Sequence, residues 1–279
     1  MATTCTAINL PRPGAHYAAA VRPDQNAPDA TGAALPGPVH RVLASEVARA
    51  AEGARDGAAP RVLDVGGGSG AWAVALAGLG CAVTVVDNSP NALAALHRRA
   101  RDAGVDGLVT PVQGDVDALA DVAPDGGADL VLGHGLLEVV DDAEHAVRAL
   151  AEATAPGGAV SVLVAGRHAA VLGRTLAGRL AEARALLVDP HGRCGPDDPL
   201  RRRLDAAGLH ALLVAAGLVP ETVQGDGVLE GWVPGSVRDG GPAASRAVAE
   251  LEALAAGRPA LLELAARLHV LARRPHPVE

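Results

Sequence analysis

The sequence of 279 residues is poor in aromatic side chains, with no phenylalanine, one tyrosine and two tryptophans. Aromatic rings therefore cannot fill its core, and alanine, valine and leucine must do so. An apolar content of 49% is ample for that purpose. The length fits one large domain or two small ones.

Lysine is absent as well, so all 24 basic residues are arginine. This absence excludes any mechanism that needs a lysine Schiff base or a lysine general base. The net charge of -8 argues against a broad basic surface for nucleic acid, while a local arginine patch stays open.

The three cysteines, Cys5, Cys81 and Cys194, are widely separated and form no C-x-x-C pair. They indicate neither a disulfide framework nor a zinc site, so we expect no metal and a reducing, cytoplasmic location. The apolar runs fall well short of the ~20 residues that a membrane span needs, so we expect no membrane partner. A homodimer stays open.

Residues 1–38 are rich in alanine, proline, glycine and threonine without clear periodicity. They indicate a flexible N-terminal arm, which is either a disordered tail or a lid that orders over a ligand. Residues 39–279 are expected to form one domain, with cap elements around 166–203 and 226–260. Its first element is a helix from Val39 to Ala51.

From Arg61 onward, strand and helix patterns alternate along the chain. The expected strands are RVLDV, AVTVVD, GLVTPVQGD, ADLVLGH, GAVSVLVAG, LVPETVQGDGVL and RLHVLARRP. Valine-rich strands with few charges are typical of a parallel sheet that is covered on both faces. Helical spacing also continues from Ala170 to Leu187. The sequence therefore predicts an α/β, Rossmann-like fold with a seven-stranded, mostly parallel sheet and helices on both faces.

The stretch LDVGGGSGAWA joins the first of these strands to a helix. Without side chains at Gly66 and Gly68, backbone can close on a ligand, and the helix N-terminus offers free N–H groups. Asp87 ends the second strand, where it can accept hydrogen bonds from ribose hydroxyls. The stretch also satisfies G-x-G-x-x-[GA], so it leaves a dinucleotide and S-adenosylmethionine both open.

Three further features favour S-adenosylmethionine. Asp64 is a carboxylate inside a strand that should be uncharged, so it either braces the glycine loop or contacts a ligand ammonium. A cluster as dense as GGGSG suits a closely packed amino-acid moiety better than a pyrophosphate. The stretches GDVDAL, ADLVLGHGLLEVVDD and LAEATAPGGAVSVLV fall at successive strand ends, where open sheets bind ligands.

The glycine motif, the acidic end of the second strand, the GD after the third and the PGG before the fifth occur in order. As a set, from about Val62 to Val164, they resemble the class I S-adenosylmethionine-dependent methyltransferases. The stretches GHGLLEVVDD and VDPHGRCGPDDPLRRRLD resemble the subgroup that contains the bacterial tRNA 5-carboxymethoxyuridine methyltransferase. The stretch GDGVLEG lacks the arginine of that subgroup.

The resemblance implies S-adenosylmethionine as the cofactor, with the ribose at Asp87 and the adenine near Gly114 and Asp115. It also implies a positioning role in catalysis for His134, which follows the fourth strand. The residues expected to bind the cofactor are Asp64, Gly66, Gly67, Gly68, Gly70, Asp87, Asn88, Gly114, Asp115, His134 and Arg41, with His40 as the alternative to Arg41.

Two acceptors stay open: the carboxylate of 5-carboxymethoxyuridine in tRNA, and a carboxylate or hydroxyl of a small molecule. A carboxylate needs no general base, and an arginine that holds its second oxygen suffices. The candidate arginines are Arg167, Arg174, Arg193 and Arg201 to Arg203. Glu138 either bonds His134 or caps the next helix, and Trp232 either stacks on a base or fills the core.

Overall fold

The computed structural model describes residues 37–54 and 57–277, and within them seven strands form one sheet. The strands are β1 (Arg61–Val65), β2 (Ala82–Asp87), β3 (Val109–Gln113), β4 (Ala128–His134), β5 (Thr154–Ala165), β6 (Val219–Asp226) and β7 (Arg267–Arg273). Their spatial order is β3-β2-β1-β4-β5-β7-β6. Among these strands β7 runs in the direction opposite to the other six, which confirms the predicted fold class.

Helices connect these strands and cover both faces of the sheet. They are α1 (Pro38–Gly53), α2 (Ala71–Ala77), α3 (Pro90–Asp102), α4 (Leu119–Val122), α5 (Ala143–Ala153), α6 (Arg167–Leu176), α7 (Leu180–Val188), α8 (Ala206–Ala215), α9 (Gly235–Arg238), α10 (Pro242–Ala255) and α11 (Pro259–Leu262). Three helices have capping residues: Ser89 precedes α3, Asp142 precedes α5 and Asp205 precedes α8. Each of these side chains accepts a hydrogen bond from a backbone N–H of the first turn.

The core has two layers, one on each face of the sheet. On one face α1, α2 and α3 bury Leu43, Leu76 and Leu96 against the strands. On the other face, α5 and α8 bury Leu150 and Leu213. Neither buried cluster contains an aromatic side chain, as the composition predicts.

Two local features differ from the expectation. The helical stretch from Ala170 to Leu187 is two helices, because Gly178 adopts a φ of 74° that ends one helix and turns the chain into the next. The PGG turn lies inside β5, where Gly157 has a φ of 78° and the pairing with β4 shifts register. An early irregularity of this kind lets β5 begin before its regular ladder.

Of the expected N-terminal arm, residues 1–36 lie outside the described part of the chain. The first expected cap segment follows the carboxyl end of β5 and contains α6 and α7. The second follows that of β6 and contains α9 and α10. Over the described ranges, none of the helices combines the length and the apolar character that crossing a membrane requires.

Candidate active site

The glycine loop, residues 66–70, connects β1 to α2 at the carboxyl edge of the sheet. Gly68 has a φ of 57°, and a Cβ there would find only a backbone oxygen at 4.0 Å. A Cβ at Gly67 would instead lie 2.5 Å from Asp64 Oδ2. The loop therefore rests on the Asp64 carboxyl group and leaves open volume above Gly68.

Asp64 is a buried acid, with a side chain that is 1% exposed. Burial, and then the negative charge of Asp87, raise the pKa of Asp64 to about 7. Within the described residues, Asp64 Oδ2 has no hydrogen-bond partner. Because an unpaired buried carboxyl oxygen costs free energy, this atom fits a donor or cationic group on a ligand.

Asp87, at the end of β2, fixes the glycine loop. Its Oδ2 accepts from Gly68 N at 2.9 Å, and its Oδ1 accepts from Ser89 N at 2.8 Å. The Asp87 backbone oxygen accepts from Gly114 N at 3.2 Å, which holds the end of β3 alongside. Each carboxylate oxygen has a second lone pair, so Asp87 retains capacity for ribose hydroxyls.

The other predicted cofactor residues lie in different surroundings. Asn88 is exposed, and Asp115 accepts from a backbone N–H two residues further on, at 3.0 Å. Arg41 lies on the exposed side of α1, beside a groove of about 530 Å³ that α1 forms with β6 and β7. The ring of His40 instead lies 4.5 Å from that of Trp72, the second residue of α2. The geometry favours His40 over Arg41 as the α1 residue that faces the cleft.

His134, at the end of β4, belongs to a buried chain of hydrogen bonds. Its Nε2 lies 2.8 Å from Ser161 Oγ, which lies 2.8 Å from His269 Nε2. His269 Nδ1 in turn lies 3.0 Å from Gln224 Nε2. Burial lowers the pKa of His134 well below its ordinary value and that of His269 to about 3, so both rings are neutral near pH 7.

The aromatic rings of His134 and His269 continue into those of Trp72 on α2 and His40 on α1. The Trp72 ring lies 4.9 Å from that of His134, which lies 6.0 Å from that of His269. Trp72, Ser161, His269 and Gln224 are not among the residues predicted from the sequence. A signal was present in RLHVLAR, where His269 interrupts an apolar strand.

Glu138 takes neither of its two expected roles. The helix that follows it is capped by Asp142, and His134 bonds Ser161 through Nε2 while its Nδ1 has no partner in the described part of the chain. Glu138 instead accepts from its own backbone N–H and from that of Ala165. Burial raises the pKa of Glu138 to about 7.

The candidate acceptor-binding arginines are engaged with other groups of the chain. Arg167 donates to the Leu186, Leu187 and Asp189 carbonyls, which end α7. Arg202 donates to three carbonyls in the turn that follows β4. The remaining pairs are Arg174 with Glu182, Arg193 with the Pro196 carbonyl, Arg201 with Asp141, and Arg203 with Asp198.

Trp232 is half-buried, and its Nε1 donates to the Val228 carbonyl at 2.9 Å. This hydrogen bond ties the indole to the turn after β6. The residue is therefore part of the packing of the cap.

Four buried polar atoms on α1, on β1 and at or after the end of β4 lack hydrogen-bond partners in the described part of the chain. Within residues 37–54 and 57–277 the buried atoms without a hydrogen bond include His40 Nε2, Asp64 Oδ2, His134 Nδ1 and Glu138 Oε2. Buried polar groups are normally satisfied, so these atoms fit a polar ligand. No group of three or more His, Cys, Asp or Glu side chains in these ranges could hold a metal ion.

Comparison with known proteins agrees with this geometry. Residues 62–158 match the family model of a methyltransferase domain. Similar solved structures include an S-adenosylmethionine-dependent methyltransferase of Methanosarcina mazei, at 14% identity and a TM-score of 0.53, over 78% of this chain and 94% of that one. The CcbJ methyltransferase of Streptomyces caelestis is 19% identical with a TM-score of 0.52, over 88% of this chain and 100% of that one.

A further similar structure is the [4+2]-cyclase SpnF, at 20% identity and a TM-score of 0.52, over 85% of this chain and 82% of that one. At such identities the likeness shows a shared fold. A search of curated proteins found no significant match.

Proposed function

We propose that this chain, which carries a class I S-adenosylmethionine-dependent methyltransferase domain over residues 62–158, methylates an oxygen atom of a small molecule. The observation that carries the cofactor site is Asp64, a buried carboxyl group under the glycine loop with an unpartnered oxygen. The observation that favours a small acceptor is that Arg167, Arg202 and Arg203 are engaged with other groups of the chain.

The proposed contacts with the cofactor begin at the glycine loop. Asp64 Oδ2 would accept a hydrogen bond from the ammonium group, and the open volume above Gly68 would hold the amino-acid moiety. Asp87 would accept from the ribose hydroxyls, with Asn88, Gly114 and Asp115 beside the adenosine. The backbone at Gly66, Gly67 and Gly70 would shape the loop, and His134 would face the reacting end.

When bound, S-adenosylmethionine would supply an activated methyl group, because its positively charged sulfur is a good leaving group. The chain would contribute position and a dry environment, because the rings of His40, Trp72 and His134 pack together beside the proposed site. An oxygen acceptor would lie beside these rings.

The tRNA acceptor expected from the sequence resemblance is the second candidate, and the stretches that resemble that subgroup are its support. A tRNA must meet cationic side chains along its phosphates. The Arg201 guanidinium pairs with Asp141 and that of Arg203 with Asp198, so this patch is neutralised within the chain. The charge distribution therefore favours the small molecule.

Calorimetric titration tests the cofactor assignment. The chain should bind adenosylhomocysteine and not NAD, and the reverse result would refute the proposal. Asp87→Ala should lose most of the affinity, because the ribose and the Gly68 N–H lose their acceptor. Asp102→Ala, which removes an exposed carboxylate at the end of α3, is the matched control and should bind normally.

Nucleoside mass spectrometry of tRNA from a deletion strain separates the two acceptors. An unchanged wobble-position profile is expected for a small-molecule enzyme, whereas the loss of one methyl ester there would establish the tRNA acceptor. A cytoplasmic location and a homodimer stay predictions, which fractionation and light scattering would test.

A further inference from the structure

A line of polar side chains crosses four strands of the sheet inside an otherwise apolar face. His134 lies on β4, Ser161 on β5, His269 on β7 and Gln224 on β6. The register places His134 opposite Leu163, Leu163 opposite His269, and His269 opposite Gln224. Side chains on one rung share a face, and Ser161 is two residues before Leu163, so all four polar groups meet on the α1 side.

This line is sealed from solvent along most of its length. Ser161 and His269 are 0% exposed and Gln224 is 8% exposed. Both ring nitrogens of His269 have a partner within 3.0 Å. Buried polar networks of this kind are stable only when each donor faces an acceptor, so the position of every proton is constrained.

The proton positions follow from the amide end of the line. In the orientation that the structure gives the Gln224 amide, Nε2 faces His269 and is a donor only. His269 Nδ1 then accepts, and the proton of neutral His269 lies on Nε2. His269 Nε2 then donates to Ser161 Oγ, and the Ser161 hydroxyl donates to His134 Nε2. Neutral His134 therefore carries its proton on Nδ1, the atom that has no partner among the described residues.

We propose that Gln224, His269 and Ser161 are positioning residues that hold His134 as the Nδ1–H tautomer, which donates a hydrogen bond to a ligand oxygen in the cleft. The identity of that oxygen as the methyl acceptor rests on the proposed function, whereas the tautomer does not. An Nδ1–H cannot take up a proton, so His134 acts here as a donor and not as a general base. An oxygen suits this donor because it keeps a second lone pair free, while an amine nitrogen has only one.

Nitrogen-15 NMR of the histidine rings in the free protein tests the tautomer, with the His134 signals assigned by their loss in His134→Gln. The expected result is a protonated-type Nδ1 and an unprotonated-type Nε2. The opposite assignment, or rapid exchange between the two tautomers, would overturn the proposal.

Gln224→Glu supplies the sharper arm of the experiment. At alkaline pH the ionised carboxylate only accepts, so every hydrogen bond of the line reverses and the His134 proton should move to Nε2. Thr222→Glu, on the same strand and face but outside the line, is the control and should leave the signals unchanged. Unchanged signals in Gln224→Glu would refute the coupling.

Ser161→Ala covers the case in which Gln224→Glu fails to fold. Without the hydroxyl, His134 loses its link to His269 and should populate both tautomers. A single Nδ1–H tautomer in this variant would show that the line does not set it. Failure of the proposed function would appear separately, as absent adenosylhomocysteine binding with the tautomer intact.

Discussion

Gly68→Ala should weaken cofactor binding far more than it weakens the fold. The residue has a φ of 57°, and a Cβ there enters open volume with its nearest atom at 4.0 Å. The folded state then bears only the left-handed backbone strain of alanine, about 1–2 kcal/mol. For a chain of this size, that cost lowers Tm by roughly 2–8 °C.

The added methyl group occupies the volume that the proposed ligand needs. Forcing one extra carbon into a packed contact costs about 1–3 kcal/mol, which corresponds to a roughly 5- to 140-fold weaker Kd. Calorimetric titration with adenosylhomocysteine measures the Kd, and thermal unfolding measures the strain on the same samples.

Gly104→Ala is the matched control for this variant. Gly104 has a φ of 69° with no atom within 4 Å of its Cβ position, and it follows α3 at the opposite edge of the sheet. It should show the same loss in Tm and an unchanged Kd. If Gly68→Ala also leaves the Kd unchanged, the glycine loop is not the cofactor site.

Three further outcomes are expected. Asp64→Asn should flatten the pH dependence of stability between about pH 4 and 7. The pKa of Asp64 is about 7 in the folded chain and 3.8 in the unfolded chain, so the unfolded acid ionises first and stability falls as pH rises, by on the order of 4 kcal/mol at most. An equally steep slope in denaturant titrations of the variant would refute this. Adenosylhomocysteine should change tryptophan fluorescence in Trp232→Leu but not in Trp72→Leu, since only Trp72 lines the cleft, and the reverse pattern would contradict the site. Gly70→Ala should lower the free energy of unfolding in urea by about 2–5 kcal/mol, because the added Cβ would overlap Leu96 Cδ1 and the residue has a φ of 78°. A smaller loss would show that the loop relaxes.

The fold could be predicted from sequence because alternating strand and helix patterns and turn residues are local signals. Ser89 before Pro90 correctly marks a helix start, and the valine-rich strands correctly indicate a covered parallel sheet. The match of residues 62–158 to a methyltransferase domain agrees with the order of the motifs. The tRNA subgroup is not confirmed and stays a hypothesis.

The polar line behind His134 could not be predicted, because it depends on strand neighbours that are distant in sequence. Ser161 and His269 are separated by 108 positions and meet only because β7 inserts between β5 and β6. The reversed direction of β7 also brings its first residue, Arg267, to the carboxyl edge, where it pairs with Asp226 at 2.5 Å. A residue at the start of an antiparallel strand is therefore not found by considering only the carboxyl ends of the predicted strands.

The hydrogen bonds of Arg167 and Arg202 to backbone carbonyls should slow cleavage by one specific protease at these two residues. Trypsin cleaves only after arginine in a chain without lysine, and it must draw that side chain into its own pocket. Arg167 and Arg202 would first have to release several carbonyl hydrogen bonds each. Arg238 and Arg246 are exposed on α9 and α10, so brief digestion should cleave after these residues sooner than after Arg167 and Arg202.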